Sequence, residues 1–234
     1  MAATHATDHA GTIAGTDPNT IVYRPIAWKD VDAVVDLFDR TWPQSGSLEG
    51  TRFSTLISRY FVLHYLQPAT FANAAFTQDG TLAGVTFIRV AGECPQLDEI
   101  DVAEDMAATE RLIRSDPEAS ERLDMVRNSF ALELDLERES RANETTLGEL
   151  ELFVVNPDVR GHGVGGGLWK RMQQYLAAWD VDAFYLHTDS ACDVSFYDHK
   201  GLERIAERPA GTPVEDGREP LFDDMFIYRG KVSA

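Results

Sequence analysis

The sequence predicts an α/β protein: a mixed central sheet of six to seven strands with helices on both faces. Three observations carry that expectation. Short alternating or continuous apolar runs fall at 21–25, 70–77, 81–90, 147–155, 181–187, 202–207 and 222–229, which is how strands read. Several are separated by segments whose apolar residues recur at helical spacing. A glycine-rich stretch at 161–167 joins the fourth strand to a helix. The order strand, helices, hairpin, strand, helix, strand, helix, strand, strand stacks helices on both sides of one sheet. At 234 residues the chain is long enough for a well-buried core as a single domain with an insertion.

In chain order, residues 1–19 show no periodicity and are expected to be a disordered tail, followed by one domain over 20–230. After the strand at 21–25, Val31, Val34, Val35, Leu37 and Phe38 mark a first helix. Trp42-Pro43-Gln44-Ser45-Gly46-Ser47 breaks it, and a second helix is expected from about 48 to 66, with Phe53, Leu56, Ile57, Tyr60, Phe61 and Leu63 on its apolar side. Asp79-Gly80 between the next two strands is a hairpin signal. Gly84 within the second of them points to a bulge or a close backbone approach.

From 93 to 146 the character changes. Sixteen Asp and Glu face six Lys and Arg, a net of −10 within the chain's −18. Leu123, Val126, Phe130 and Leu134 fall on one helical face, and Ala103, Met106, Ala107 and Ile113 suggest another helix before Asp116-Pro117. This reads as an acidic helical insertion between strands 3 and 4. A lid, a dimer surface and an excursion packed on the body all remain open for it.

The segment ELELFVVNPDVRGHGVGGGLWKRMQQYLAAW, 149–179, carries the chemistry. Val164, Leu168, Met172, Leu176 and Trp179 form one helical face, with Lys170, Arg171, Gln173 and Gln174 turned away. Glycines where a helix begins let backbone N–H groups approach an anion, and the positive end of the helix dipole favours a phosphate there. Gly161, Gly163 and Gly166 satisfy G-x-G-x-x-G, with Asp189 further on, so a dinucleotide-binding oxidoreductase is one reading. Against it, five residues separate the strand from the first glycine, and Pro157 among them supplies no ladder N–H.

Val154-Val155-Asn156-Pro157 followed by Arg160-x-x-Gly163-x-Gly165 resembles the acetyl-CoA motif of the GCN5-related N-acetyltransferase (GNAT) family. Ser195-Phe196-Tyr197-Asp198-His199-Lys200-Gly201-Leu202 resembles that family's F-Y-x-x-x-G-F signature, with Leu in the last place. The resemblance spans about 21–229 but has no minimal-fold counterpart for 93–146. It implies the GNAT fold and acetyl-CoA as co-substrate. Phe153, Val154 and Val155 would lie along the pantetheine arm, and Gly161, His162, Gly163, Val164, Gly165 and Gly166 would hold the pyrophosphate, with Arg160 adding charge or bracing the loop. It implies Tyr197 as the acid for the leaving thiolate. It also implies that the first two helices line the acceptor pocket, making Trp42, Arg52, Tyr60 and His64 candidate contacts. Two places depart from the family's usual pattern: Ser190 and Asp193 stand where many relatives carry Asn and Ala, which puts one coenzyme contact in doubt.

For the base, Glu151 is the first candidate and Glu149 the second. Two apart on a strand, they project from the same face, and carboxylates inside a sheet need a reason. His187 and Asp189 at the end of the next strand compete. The expected activity is acetyl transfer to a primary amine of a small molecule or of a peptide or protein, with a non-catalytic acyl-CoA-binding module as the alternative. The net charge disfavours nucleic acid as partner. No run is long and apolar enough for a membrane span, and the N-terminus lacks a secretion signal, so a cytoplasmic location is expected. Cys94 and Cys192 make no disulfide framework, no metal-binding spacing occurs, and a homodimer is possible.

Overall fold

The computed structural model describes residues 20–97, 99–159, 161–214 and 216–233. The expected tail at 1–19 and Arg160 lie outside them. The strands are β1 (Val22–Pro25), β2 (Phe71–Phe76), β3 (Leu82–Val90), β4 (Gly148–Val155), β5 (Ala183–Asp189), β6 (Glu203–Arg208) and β7 (Met225–Lys231). They form one seven-stranded sheet in the order β1-β2-β3-β4-β5-β7-β6. Neighbours run antiparallel except β4 and β5, which are parallel. Seven strands of mixed direction, with helices between β3 and β4, agree with the sequence expectation.

Helices α1 (Val31–Thr41) and α2 (Arg52–Leu66) cover one face of the sheet. Val34, Leu37, Phe38, Val62, Leu63 and Leu66 bury there against Ala72, Val85, Phe87, Leu152 and Val154. Helix α6 (Val164–Ala178) covers the other, with Met172 and Leu176 against Ile88, Leu150, Phe184 and Leu186. The inserted segment forms α3 (Val102–Ile113), α4 (Pro117–Ser140) and α5 (Ala142–Thr145), and α7 (Ser195–His199) follows β5. Asp116 and Pro117 start α4. The Asp116 carboxylate accepts from the N–H groups of Glu118 and Ala119, and Pro117 sits at the first helical position, where no N–H is needed. One end of α4 packs Leu123, Val126 and Phe130 on Ile57 and Tyr60. The other end lays Leu136, with Ala142 of α5, on Tyr185, Met225 and Ile227. Helix α4 thus bridges α2 and the β5–β7 half of the sheet on the same face.

Several boundaries and facings differ from expectation. Helix α2 begins at Arg52, capped by Thr51, because Gly46 and Gly50 take positive φ and turn 46–48 into a separate 3-10 turn. Leu134 is half exposed, not part of the packed stripe, and Trp179 at the end of α6 is 45% exposed. Gln173, expected to face outward, is buried and accepts from the Ser233 backbone N–H. The last strand starts at Met225, leaving Phe222 exposed in the loop before it. Gly84 serves both roles expected of it. The β2–β3 register slips beside it, and a Cβ there would lie 2.9 Å from the Val154 carbonyl oxygen and against Leu168 and Val164 of α6.

Candidate active site

Parallel pairing between β4 and β5 lasts for two positions, Gly148 opposite Phe184 and Glu149 opposite Tyr185, and then the strands part. Beyond Glu149 the β5-facing backbone groups of β4 have no ladder partner. On its other side β4 pairs with β3, where the register skips Glu151: Ile88 faces Leu150 and Phe87 faces Leu152. This bulge reverses the alternation. Leu150 packs toward α6, whereas Leu152 and Val154 pack toward α1 and α2. A cavity of about 930 Å³ opens at the parting, reaching from Trp42 and His64 through residues 149–155 to Gly165 and Tyr197.

Its floor is a buried charge network. Arg89 of β3 donates from Nε to Glu151 (2.8 Å), and from Nη2 to Glu149 and to the Tyr185 hydroxyl oxygen (3.1 Å). Tyr185 donates to the same Glu149 oxygen at 2.8 Å, and His187 Nδ1 stands 3.0 Å from the other. The two glutamates therefore do share a face, but unequally. Burial works against the Glu149 charge, yet the His187 hydrogen bond and the His187 and Arg89 charges hold its pKa below the ordinary carboxylate value. Glu151 has fewer partners; burial and the neighbouring Glu149 charge push it up to about 8. Burial would lower His187, but the hydrogen bond to Glu149 and the surrounding carboxylates raise it to about 9. Asp189 is tied up otherwise, accepting from the N–H groups of Ala191 and Cys192 as a turn residue.

On the opposite wall, α7 supplies an aromatic pair. Phe196 stacks on Phe153 at 5.5 Å and meets Trp169 edge-on, and both Phe196 and Tyr197 line the cavity. Burial, reinforced by the nearby Cys192, Asp189 and Asp193, raises the Tyr197 pKa above the phenol's usual value, so it stays protonated at neutral pH. Ser190 faces away from this chemistry: its hydroxyl accepts from Asp224 N–H and donates to Asp223.

The glycine stretch forms the start of α6. Gly161 and Gly163 adopt positive φ, 86° and 71°, and Gly163 is the residue from which the helix starts. A Cβ at Gly161, Gly163 or Gly166 would meet no side chain or distant backbone within 4 Å, so the surface beside the start of the helix is open at these three glycines. Those residues fit an anionic pyrophosphate group. Val164 is buried and offers its backbone only, and His162 Nδ1 lies 3.0 Å from the Val159 carbonyl. Gly167 has a different reason: a side chain there would collide with the Tyr23 hydroxyl.

Of the expected acceptor contacts, Trp42 and His64 line the cavity. Arg52 and Tyr60 do not. Arg52 lies over the Phe53 ring, and Tyr60 is buried in the packing between α2 and α4. His64 stacks on Phe130 at 3.8 Å, and burial lowers its pKa to about 4, so it is neutral. Sequence reasoning missed Arg89, Glu133 and Glu137. The signal for the last two was present: Phe130, Glu133 and Glu137 fall at i, i+3 and i+7 on α4, and all three line the cavity. Glu133 is only partly covered, because it opens onto the cavity, but the protein around it desolvates the carboxyl and raises it to about 7.

The acetyltransferase (GNAT) family model matches residues 130–201, from the cavity side of α4 through the glycine stretch to Tyr197 and Gly201. The chain has the GNAT acetyltransferase fold. Among solved GNAT-like structures, a mosquito arylalkylamine N-acetyltransferase-like 5b is 15% identical at a TM-score of 0.56, with 91% of this chain and 100% of that one covered. An arylalkylamine N-acetyltransferase 2 from Aedes aegypti is 14% identical at 0.53, covering 91% and 99%. An agmatine N-acetyltransferase is 12% identical at 0.53, covering 90% and 99%. No curated protein sequence matches the chain significantly. The GNAT sheet, with one parallel pair at its centre, also differs from the all-parallel core that the dinucleotide reading required.

Proposed function

We propose that this GNAT-fold chain is an N-acetyltransferase that moves the acetyl group of acetyl-CoA directly to a primary amine of a small molecule, peptide or protein. The observation that carries the reading is the parting of β4 from β5 beside the glycine start of α6, with Tyr197 on one wall and the paired glutamates on the other. The unpaired edge at 153–155 offers backbone groups to an extended amide-bearing arm, as a neighbouring strand would. N–H groups at 163–166 suit the pyrophosphate. A strand N–H at the parting suits the thioester carbonyl oxygen as negative charge develops on it.

Acetyl-CoA supplies the acyl carbon, where a C–N bond forms and the C–S bond breaks. Glu151 takes the proton that the ammonium must lose before its nitrogen can attack. Its raised affinity for a proton suits a base working near neutrality, whereas Glu149, pinned by Arg89, Tyr185 and His187, serves as the fixed anion that orients them. Tyr197 gives its proton to the departing thiolate, whose ordinary pKa of about 8.5 lies below that of the phenol, and the second proton that the nitrogen loses as the amide forms passes by way of solvent to the tyrosinate. We place the protein in the cytoplasm, where the free thiols of Cys94 and Cys192 stay reduced; among the described residues no helix is long and apolar enough to cross a membrane.

Thermal unfolding with and without acetyl-CoA, paired with thiol release over a panel of amines, tests the proposal. Stabilisation together with amine-dependent thiol release is expected. Stabilisation without turnover of any amine would leave an acyl-CoA-binding module instead, and no stabilisation would remove both.

A further inference from the structure

Helix α4 is strongly acidic, and most of its carboxylates on other sides hold arginines. Asp124 pairs with Arg114 at 2.6 Å, Asp135 with Arg138 at 2.7 Å, and Glu139 with Arg208 at 2.7 Å. Glu133 and Glu137 face the cavity one turn apart, and neither forms an ion pair with an arginine or lysine among the described residues. Glu137 is the more telling of the two. Its side chain is 8% exposed, and its carboxylate accepts no hydrogen bond among the described residues. The nearest cation is His187 Nε2 at 3.9 Å, beyond hydrogen-bonding reach, and that nitrogen is itself buried without a partner.

A buried carboxylate whose one charge partner is the distant His187 edge at 3.9 Å costs stability unless a closer cation meets it. The local cations are already committed. Arg89 is spent on Glu149 and Glu151, His187 gives Nδ1 to Glu149, and Arg122 stands near the other end of α4, about 16 Å along the helix from Glu133. Next to these two carboxylates the walls are aromatic: Phe130 on α4, and Phe61 and Tyr65 on α2, with Trp42 beyond them. Such walls suit an alkyl chain and favour a positive charge over their faces.

We propose that the acceptor is a diamine, whose far ammonium group is held by Glu133 and Glu137 while its near amine faces Glu151 and Tyr197. This rests on the acetyltransferase reading and adds the substrate class. The insertion is then the specificity element, since both carboxylates come from it and none from the strands. A divalent metal ion at Glu137, Glu149 and His187, whose ligand atoms lie within 4.8 Å of one another, fits less well. It would have to displace the proton His187 holds and sit beside the Arg89 guanidinium.

The test compares kcat/KM for 1,4-diaminobutane with that for 1-aminobutane and 2-phenylethylamine, in the wild type and in Glu133→Gln, Glu137→Gln and Glu137→Asp. Charged hydrogen bonds to the far ammonium should favour the diamine by about tenfold or more, mainly through KM. Either Gln variant should bring that ratio toward one, and Glu137→Asp should keep part of it. Monoamines used as well as the diamine by the wild type, or a ratio untouched in Glu137→Gln, would overturn the diamine assignment and leave the acetyltransferase reading standing. Turnover abolished by a chelator and restored by a divalent ion, without diamine preference, would overturn it in favour of a metal. No turnover of any amine would sink both readings together.

Discussion

At the scale of single residues, the two glutamates on β4 show why identity and spacing underdetermine chemistry. Both sit on one face, yet Glu149 meets Arg89, Tyr185 and His187, while Glu151 meets Arg89 alone. The proton taken up first goes to Glu151. With Glu151 as base, kcat/KM should rise with pH up to about 8, where its carboxyl ionises, and level off above. Glu151→Gln should remove that rise and slow the reaction by about a hundredfold; a mutant that keeps both rate and profile would move the base elsewhere. Tyr197→Phe should lower kcat by a similar factor, about a hundredfold, because the thiolate leaves without its proton donor. With the hydroxyl in the proposed acid role, the same variant should keep its affinity for acetyl-CoA, measured by titration. An unchanged kcat would make Tyr197 a packing residue like its neighbour Phe196.

At the scale of elements, the strand–glycine–helix unit at 148–178 was legible because each part follows from local sequence: an apolar strand, positive-φ glycines and a periodic helix. The motif pair around it placed the fold. What was not legible depends on contacts far apart in sequence. The bulge at Glu151 is set by pairing with β3, and Arg89 reaches Glu149 from 60 residues away. In the insertion the helices were readable, and so was most of the α4 face, since Leu123, Val126 and Phe130 are buried as expected; Leu134 has the same period and still faces outward, while Glu133 and Glu137 face in. Tertiary placement decided which stripe of α4 met the cavity. Phe130 anchors that placement through Tyr60, Phe61, His64 and Tyr65. Phe130→Ala should cost about 3–5 kcal/mol in denaturant unfolding. Because α4 roofs the cavity, it should also raise KM for the amine. A loss under 1 kcal/mol would mean that α4 is held mainly at its other end, by Leu136.

At the scale of the whole molecule, the buried network links stability to pH. His187 holds a proton more tightly when folded, about 9 against an ordinary 6.5, so its contribution is complete below 6.5 and disappears as pH rises through 9. Glu151 acts in the same direction over a lower window: its contribution is complete below about 4.5, where the unfolded carboxyl is also protonated, and is lost as pH rises to about 8. The melting temperature should therefore fall between about pH 5 and 9, and calorimetry should show a shallower fall for Glu151→Gln below pH 8, where the Glu151 contribution is being lost. A flat profile would mean the network titrates alike folded and unfolded. The parting of β4 from β5 has a mechanical side as well. The sheet is two antiparallel halves stitched by a ladder of two residue pairs, with α6 beneath the seam and α4 strapped across it. Under tension applied between β1 and β6, the molecule should tear along that seam before either half unravels, which makes the cleft the weakest line of the fold.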